Sequence, residues 1–580
     1  SRKINRPLPL TDCFIAPCQT GCPIGQDIPE YIRLVGAGKY PEAYQLIISK
    51  NPLPFITGEI CDHKCMFKCT RLDYDDPVCI RGLKKVAAEK GSDKYAVSSI
   101  KEMSRETAKV AVIGAGPSGL AAGYFLSRAG MDVTIFDKRT TPGGTVAHVI
   151  PEFRISPEAI SKDIEMIKST GVKFRLGVEN VSINQLKSDG YKYVYLAIGA
   201  GKSKAVEFIA DSKNVMGAIE FLTEFKKDQT KLQLGKNVAV VGGGNSAMDT
   251  ARAAKRLAGV DRVYIVYRRT KEDMPAAKEE VKLALKEGVI LKELLSPVSL
   301  VNGVLKCQKM TLGEPDASGR RRPLPLENEF EEIAVDAVIF AIGEQVDLDW
   351  LAMNGVAVDK RGKIHVNPET LETNLEKVYI GGDVLLGPST VVEAISQGRR
   401  AADAILAKEK MLPENKDASV SAVKSPMVQI MEKKGRLIPS FGAVEKEANR
   451  CLECDLVCNI CTEVCPNRAN IAIEVPGGKY QILHMDGMCN ECGNCAAFCS
   501  YQGRPYQDKL TLYWEKEDFM SSKNPGFLLT ENNSEPTFQI RNEGNVSTVK
   551  FNSEGQPSIP VDQEVAQIIW TVFRKYSYLF

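Results

Sequence analysis

Sixteen of the seventeen cysteines in this 580-residue chain lie in two groups, Cys13 to Cys79 and Cys451 to Cys499; only Cys307 stands apart. The later group reads CLECDLVCNICTEVCP from Cys451 and then CNECGNCAAFC from Cys489. The second run has the Cx2Cx2Cx3C spacing of two-cluster ferredoxins, whose fourth cysteine ligates the other cluster. Short loops are needed because three thiolates must converge on a cube of iron and sulfide. Zinc is the competing ligand, but this many thiolates with a Cys-Pro end and no paired histidine favour iron–sulfur. The spacing assigns Cys454, Cys458, Cys461 and Cys499 to one 4Fe-4S cluster, and Cys465, Cys489, Cys492 and Cys495 to another. It leaves open whether Cys451 replaces Cys454.

The earlier group is CFIAPCQTGCP (Cys13, Cys18, Cys22), then CDHKCMFKC (Cys61, Cys65, Cys69) and Cys79. These seven thiolates are one short of a full set for two cubanes, and Cys79 is the candidate for one vacant position. His63, between Cys61 and Cys65, reads as a neighbour of the thiolates rather than a ligand. Four clusters are expected in all.

Between the groups lie two nucleotide loops. Strand Val110 to Ile113 runs into Gly114-x-Gly116-x-x-Gly119, with Pro117 and Ser118 opening a helix whose N–H groups face a pyrophosphate. Strand Val133 to Phe136 then ends at Asp137 and Lys138, where an acid accepts a ribose 2′-hydroxyl. The pattern recurs with Gly242, Gly244 and Ala247 in the loop positions, and Asn245 and Ser246 between them. The following strand ends in Arg268 and Arg269, suited to the 2′-phosphate of NADP(H); the alternative is a solvated strand end. No Cys-x-x-Cys lies in this second domain, so electrons are not expected to leave through a disulfide.

These sites need several domains, and the length supplies them. The fold class is multidomain α/β: a helical iron–sulfur domain (1–108) and two Rossmann-like domains, the second inserted in the first. A two-cluster ferredoxin-like domain and a small β-rich tail follow. The FAD-binding domain takes 109–201 and 336–408, the NADP(H) domain 202–335, a polar linker 409–448, the ferredoxin-like domain 449–510 and the tail 511–580. A net charge of +2 gives no broad nucleic-acid or acidic-membrane surface. No apolar run reaches the length of a membrane span, and clustered thiols beside nucleotide loops point to the cytoplasm.

Several stretches carry a resemblance. CFIAPCQTGCPIGQDIPEYIRLV, NPLPFITGEIC and GAGPSGLAAGYFL are similar to the glutamate synthase small subunit and to the electron-input half of dihydropyrimidine dehydrogenase. Nearly the whole chain, including CLECDLVCNIC and DKLTLYWEKEDF, resembles the bacterial selenate reductase family, which is dihydropyrimidine dehydrogenase-like; no motif supports selenate or molybdopterin. VYIGGDVLLGPSTVVEAISQGRRAA looks like the flavin-closing segment of two-dinucleotide flavoproteins. That likeness makes the first dinucleotide FAD, and it implies contacts from Gly144, Gly382, Asp383, Thr390 and Val391. AIGAG and AIGEQ, the latter holding Gly343, resemble the domain crossings, and IPEFRIS would place Arg154 near FAD.

By the same resemblance Cys13, Cys18 and Cys69 share one cluster, and Cys22, Cys61 and Cys65 the other. Leu10 and Lys84 stand where that enzyme has its remaining ligands, a cysteine and a glutamine. The implied function is an NADPH-oxidising electron-input component, passing electrons through FAD and clusters to a partner subunit or upstream domain bearing an FMN-type site. A purine or pyrimidine ring is the expected substrate, and an oligomer the expected state. The alternatives are an NADPH:ferredoxin oxidoreductase, an electron-bifurcating transhydrogenase subunit, or a glutamate synthase-like donor.

Overall fold

The structure is a computed structural model that describes residues 3–94, 108–204, 209–210, 214–316, 319–411, 427–440, 444–456, 458–477 and 479–580. Residues 412–426 and 441–443 of the expected 409–448 linker lie outside the described residues. The chain forms two compact units: Ser1–Leu46 with His63–Ala87 and Val420–Phe580, and Ile47–Asp62 with Ala88–Ser419. The sequence division at residue 108 runs differently, because the N-terminal segments that carry all the early cysteines except Cys61 group with the C-terminal part.

In the nucleotide unit, strand Lys109–Ile113 is buried after its first residue and sits at the centre of a five-strand parallel sheet. Its neighbours are Tyr193–Leu196 and Asp132–Asp137, with Val378–Ile380 and Lys173–Leu176 at the edges. Such runs of Val and Ile suit a sheet covered on both faces. A second five-strand parallel sheet is centred on Asn237–Val241. Strand Ala337–Phe340, which the sequence division gives to the FAD domain, pairs with Asn237–Val241 in that sheet. The insert thus runs on to the crossing, where Glu344 and Gln345 pair antiparallel with Ser203 and Lys202. Helix Pro54–Ile60 docks on this unit through Asp163, whose carboxylate accepts from the N–H groups of Phe55 (3.2 Å) and Ile56 (2.8 Å).

In the other unit, ferredoxin region and tail share one sheet. The hairpin Asn470–Val475 and Lys479–Met485 continues through Thr511–Tyr513, Gly526–Glu531, Thr537–Asn542 and Asn545–Lys550. Helix Gln563–Lys575 buries Val565, Ile568, Ile569 and Val572 against its face, in a core with Phe527, Phe538 and Phe551. The N-terminus lies along the cysteine region: Lys3 and Ile4 donate N–H groups to Ser500 O, and Gln502 N–H donates to Arg6 O.

A buried ionic knot joins early and late segments of this unit. Arg450 and Arg71 are both fully buried. Arg450 reaches Asp75 at 2.9 Å and Glu447 at 2.5 Å, and donates to Ile438 O at 2.8 Å. Arg71 grips both Asp75 oxygens and donates to Lys433 O and Arg436 O. Burial pushes the Asp75 carboxyl up, but Arg71, the Ile438 N–H and Arg450 outweigh it and hold its pKa below the ordinary range. Among the described residues, no helix is long and apolar enough to cross a membrane.

Removing one partner of a buried ionic network strands the others, at a cost of about 3–5 kcal/mol. Asp75→Ala should lower the unfolding midpoint of this unit accordingly, read by near-UV circular dichroism. With a depressed folded pKa, the parent's share of that stability is present above the ordinary carboxylate range and lost as pH falls through the folded value.

Candidate cofactor and cluster sites

The first glycine loop is built by contact. Gly114 has φ +110, and a Cβ there would stand 2.2 Å from Ala197 O; one on Gly119 would meet Gly114 O at 1.9 Å. Gly116 caps helix Pro117–Arg128 in extended backbone, and a Cβ on Gly144 would strike Gly116 Cα at 2.7 Å. Asp137 ends its strand as expected, and its carboxylate already accepts from Ala115 N–H (2.7 Å) and Arg139 N–H (2.8 Å). Ser118 is buried, and its hydroxyl bonds to Tyr195 Oη at 2.6 Å, so only its backbone is left for a phosphate. Lys138 is exposed.

The closing segment packs onto this loop. Gly382 donates its N–H to Gln397 (2.7 Å), and a Cβ there would meet Ser118 Cβ at 2.9 Å. Asp383 accepts the Ser389 hydroxyl at 2.7 Å; burial raises its pKa despite that bond. Thr390 and Glu393 form a reciprocal cap on the 18-residue helix Val391–Lys408, which leaves other N-terminal N–H groups of that turn for a ligand. Arg154 departs from expectation. It reaches Asp249 at 2.5 Å and Glu280 at 3.2 Å, both on helices that follow the second glycine loop, rather than the first loop. Burial raises Asp249 to about 6 against the pull of Arg154.

In the second loop, Gly242 has φ +147 and abuts Ala341 O, while Gly244 has open space where its Cβ would lie. A pyrophosphate can therefore approach that backbone. The Asn245 side chain accepts from Ala277 N–H at 2.9 Å. Ser246 donates to Glu344 at 3.4 Å, beside Gly343, which has φ +121. Burial, then Asp383, lifts Glu344 to about 7. Of the arginine pair, Arg268 is exposed. Arg269 is buried, donating to Arg321 O and pairing with Asp316 at 2.8 Å. Arg269 is thus spent on anchoring the antiparallel hairpin Val304–Pro315 and Arg321–Ala334, and of the pair only Arg268 keeps an exposed side chain.

The cysteines gather around cavities. One is lined by Cys465, Cys489, Cys492 and Cys495 with Asn467, Asn470 and Tyr506, the set that the spacing names. A second is lined by Cys13, Cys454 and Cys458 among Ile4, Ile15, Pro17, Leu452 and Tyr501. Cys13 and Cys461 share a buried core against which Cys499 packs. Cys458 feels Cys13 and then Cys454, and burial with these neighbours lifts it to about 12. Cys461 feels Cys458, Cys13 and Cys499.

Cys454 lies 3.4 Å from Thr70 Oγ1 and feels Cys69; burial above all raises it to about 11. Cys18 is raised well above the ordinary thiol value by burial, then by Cys69, Cys451 and Cys454, with Cys65 behind them. Among the described residues, no three Cys, His, Asp or Glu side chains close on a single metal ion. Sulfur-lined cavities of this kind suit polynuclear clusters, in which each iron takes its own thiolate. Cys22 is half-buried, Cys79 is exposed, and Cys61 belongs to the nucleotide unit beside Asp62. His63 bonds to Arg81 at 3.3 Å and stacks on Phe67. Leu10 packs on the core of the six-strand sheet, and Lys84 is buried.

A profile for pyridine nucleotide-disulphide oxidoreductases matches residues 108–398, half of the chain. The chain belongs to this family. A second profile, dihydropyrimidine dehydrogenase domain II with its 4Fe-4S cluster, matches residues 8–95. "Putative oxidoreductase YgfK" of Escherichia coli (strain K12) is 45% identical over all of this chain, which spans 56% of that relative's length. The NADP(+)-dependent formate dehydrogenase subunit beta of Moorella thermoacetica is 40% identical over 67% of this chain and 59% of its own. The Escherichia coli (strain K12) glutamate synthase [NADPH] small chain is 34% identical over 67% of this chain and 88% of its own. This pyridine nucleotide-disulphide oxidoreductase family member is an oxidoreductase that uses FAD, a pyridine nucleotide and 4Fe-4S clusters.

Two outcomes follow from the geometry. Gly119→Ala drives a methyl group into Gly114 O and should strip flavin absorbance from the purified protein. Glu344 keeps its proton longer folded than unfolded, so it subtracts stability as pH rises from about 4.5 to about 7. Glu344→Gln should therefore raise the thermal midpoint over the parent at about pH 8, with little gain at about pH 5.

Proposed function

We propose that the chain accepts hydride from NADPH at FAD and delivers single electrons through four 4Fe-4S clusters to an acceptor on a partner subunit or further domain. One observation carries this reading: two glycine loops shaped for dinucleotides share a chain with thiolates gathered around cavities. Bound flavin supplies the conversion between a hydride's electron pair and single electrons. The chain's own task is to hold and orient. The loop at Gly114–Gly119 and the helix after Thr390 receive one dinucleotide, while the loop at Gly242–Ala247 and Arg268 receive the other. No side chain need act as acid, base or nucleophile in taking up the hydride.

The resemblance to dihydropyrimidine dehydrogenase supports a purine- or pyrimidine-type ring as the substrate reduced at the acceptor. The second reading, a subunit exchanging electrons between NADP(H) and a ferredoxin-like carrier, draws on relatives named as beta subunits, such as the NADPH-Fe(3+) oxidoreductase subunit beta of Geobacter sulfurreducens.

Anaerobic titration with NADPH should take up more electrons than flavin alone can hold, with reduced-cluster signals in low-temperature EPR. Absence of flavin reduction would overturn the proposal. Losing one charge-assisted contact costs about 1.5–3 kcal/mol. Arg268→Ala should therefore raise KM for NADPH by about 10–100-fold while leaving KM for NADH nearly unchanged.

A further inference from the structure

We propose that two of the clusters are composite, each drawing ligands from both ends of the sequence. Cys18, Cys69, Cys451 and Cys454 hold one; Cys13, Cys458, Cys461 and Cys499 hold the other. The inference rests on the iron–sulfur reading above and changes who binds what. Cys13 leaves the N-terminal set for the ferredoxin-like domain, and the pair Cys451 and Cys454 moves the opposite way.

The register of the ferredoxin run is the first support. Counting back from Cys465-Pro, the spacing Cx2Cx3CP gives Cys461 and Cys458, and the remaining ligand of Cx2Cx2Cx3C falls at position 455. That residue is Asp455, whose carboxylate is gripped by Arg33 through two bonds of 2.9 and 2.7 Å. The run is therefore one thiolate short, and Cys454 is one residue out of register to supply it.

Cys13 is in place to fill the gap. It lies in the same buried core as Cys461, with Cys499 packed against that core, and it lines one cavity with Cys458, which Cys454 reaches from the Thr70 side. Its backbone is tied down by the residue before it. Asp12 N–H donates to Gln481 Oε1 at 3.0 Å, and Gln481 Nε2 donates back to Asp12 Oδ1 at 2.6 Å.

The Cys451–Cys454 loop has the form of a cluster loop and faces the N-terminal thiolates. In CLEC and in CNEC of the ferredoxin run, the glutamate lies in left-handed backbone, Glu453 at φ 50 and Glu491 at φ 52. In both loops that glutamate's N–H points at the first sulfur, Cys451 or Cys489. The CLEC loop ends with Cys454 against Thr70, the residue after Cys69. Helix Pro17–Gly21 packs on the turn Met66–Lys68, so Cys18 comes to the same place. Eight cysteines then fill eight positions, with no need for Leu10 or Cys79.

The test uses the full chain, reconstituted anaerobically with iron and sulfide, and reads bound iron rather than turnover. Cys454→Ser and Cys69→Ser should each lose about four iron ions per chain, and the double variant no more, because both empty one cluster. Cys454→Ser with Cys458→Ser should lose about eight. The reverse pattern, additive loss for the first pair and none beyond four for the second, would overturn the proposal.

Should the variants fail to accumulate, the unmodified holoprotein can be stripped stepwise with a chelator, alkylated and mapped by mass spectrometry. Cys454 becoming reactive together with Cys18 and Cys69, and Cys13 together with Cys461, is the expected result. Cys454 opening with Cys458, and Cys13 with Cys18, would overturn it. A chain that takes up no iron at all would sink the iron–sulfur reading itself.

Discussion

The cysteine-bearing unit depends on Arg450. Its guanidinium is sealed from water and must be met on every side, and Asp75, Glu447 and the Ile438 and Asp76 carbonyls meet it. Buried ion pairs of this kind are weak as sources of stability but strict about geometry, since any partner left alone carries a large desolvation cost. The strictness matters here. The knot holds the stretch after Cys69 against the stretch before Cys451, and the Cys79 N–H is tied to Glu447 in the same network. Thiolates that must meet at a cube cannot tolerate a loose register between the segments that carry them.

The nucleotide unit solves its positioning by exclusion. Gly114, Gly119, Gly144 and Gly242 stand where backbone meets backbone at distances no side chain survives, while Gly244 keeps open space for a ligand's approach. The family is named for disulfide chemistry, yet the only cysteine in the nucleotide insert is Cys307. It is buried on the hairpin opposite Glu331, and burial raises its thiol to about 12. A thiol so reluctant to ionise is a poor nucleophile. The insert therefore carries no thiol ready for disulfide exchange.

Local chemistry was legible in the sequence where it is local. Strand, loop, helix and acid fall within about thirty residues in a dinucleotide fold, so Gly114, Gly242 and Asp137 could be read from their neighbours. The set Cys465, Cys489, Cys492 and Cys495 was legible for the same reason. Other features depend on partners distant in the chain. Arg269 looked identical to Arg268 until Asp316 claimed it, and Arg154 was drawn to FAD by resemblance while Asp249 and Glu280 hold it. The tail looked like an appendage because a sheet edge is invisible in a single strand, although Thr511–Tyr513 pairs directly with the ferredoxin hairpin. The placement of Cys13 near Cys461 spans most of the chain, and no periodicity reports a contact that remote.

The pairing of Lys3 and Ile4 with Ser500 has a consequence for biosynthesis. Residues made early wait for a partner made much later. At about 5–20 residues per second, the opening segment emerges on the order of half a minute or more before its partner exists. The nucleotide unit, by contrast, can close while translation continues. Throughout that interval Cys13 lacks the buried core it shares with Cys461. Any site that draws on both segments can be completed only once the later one has emerged.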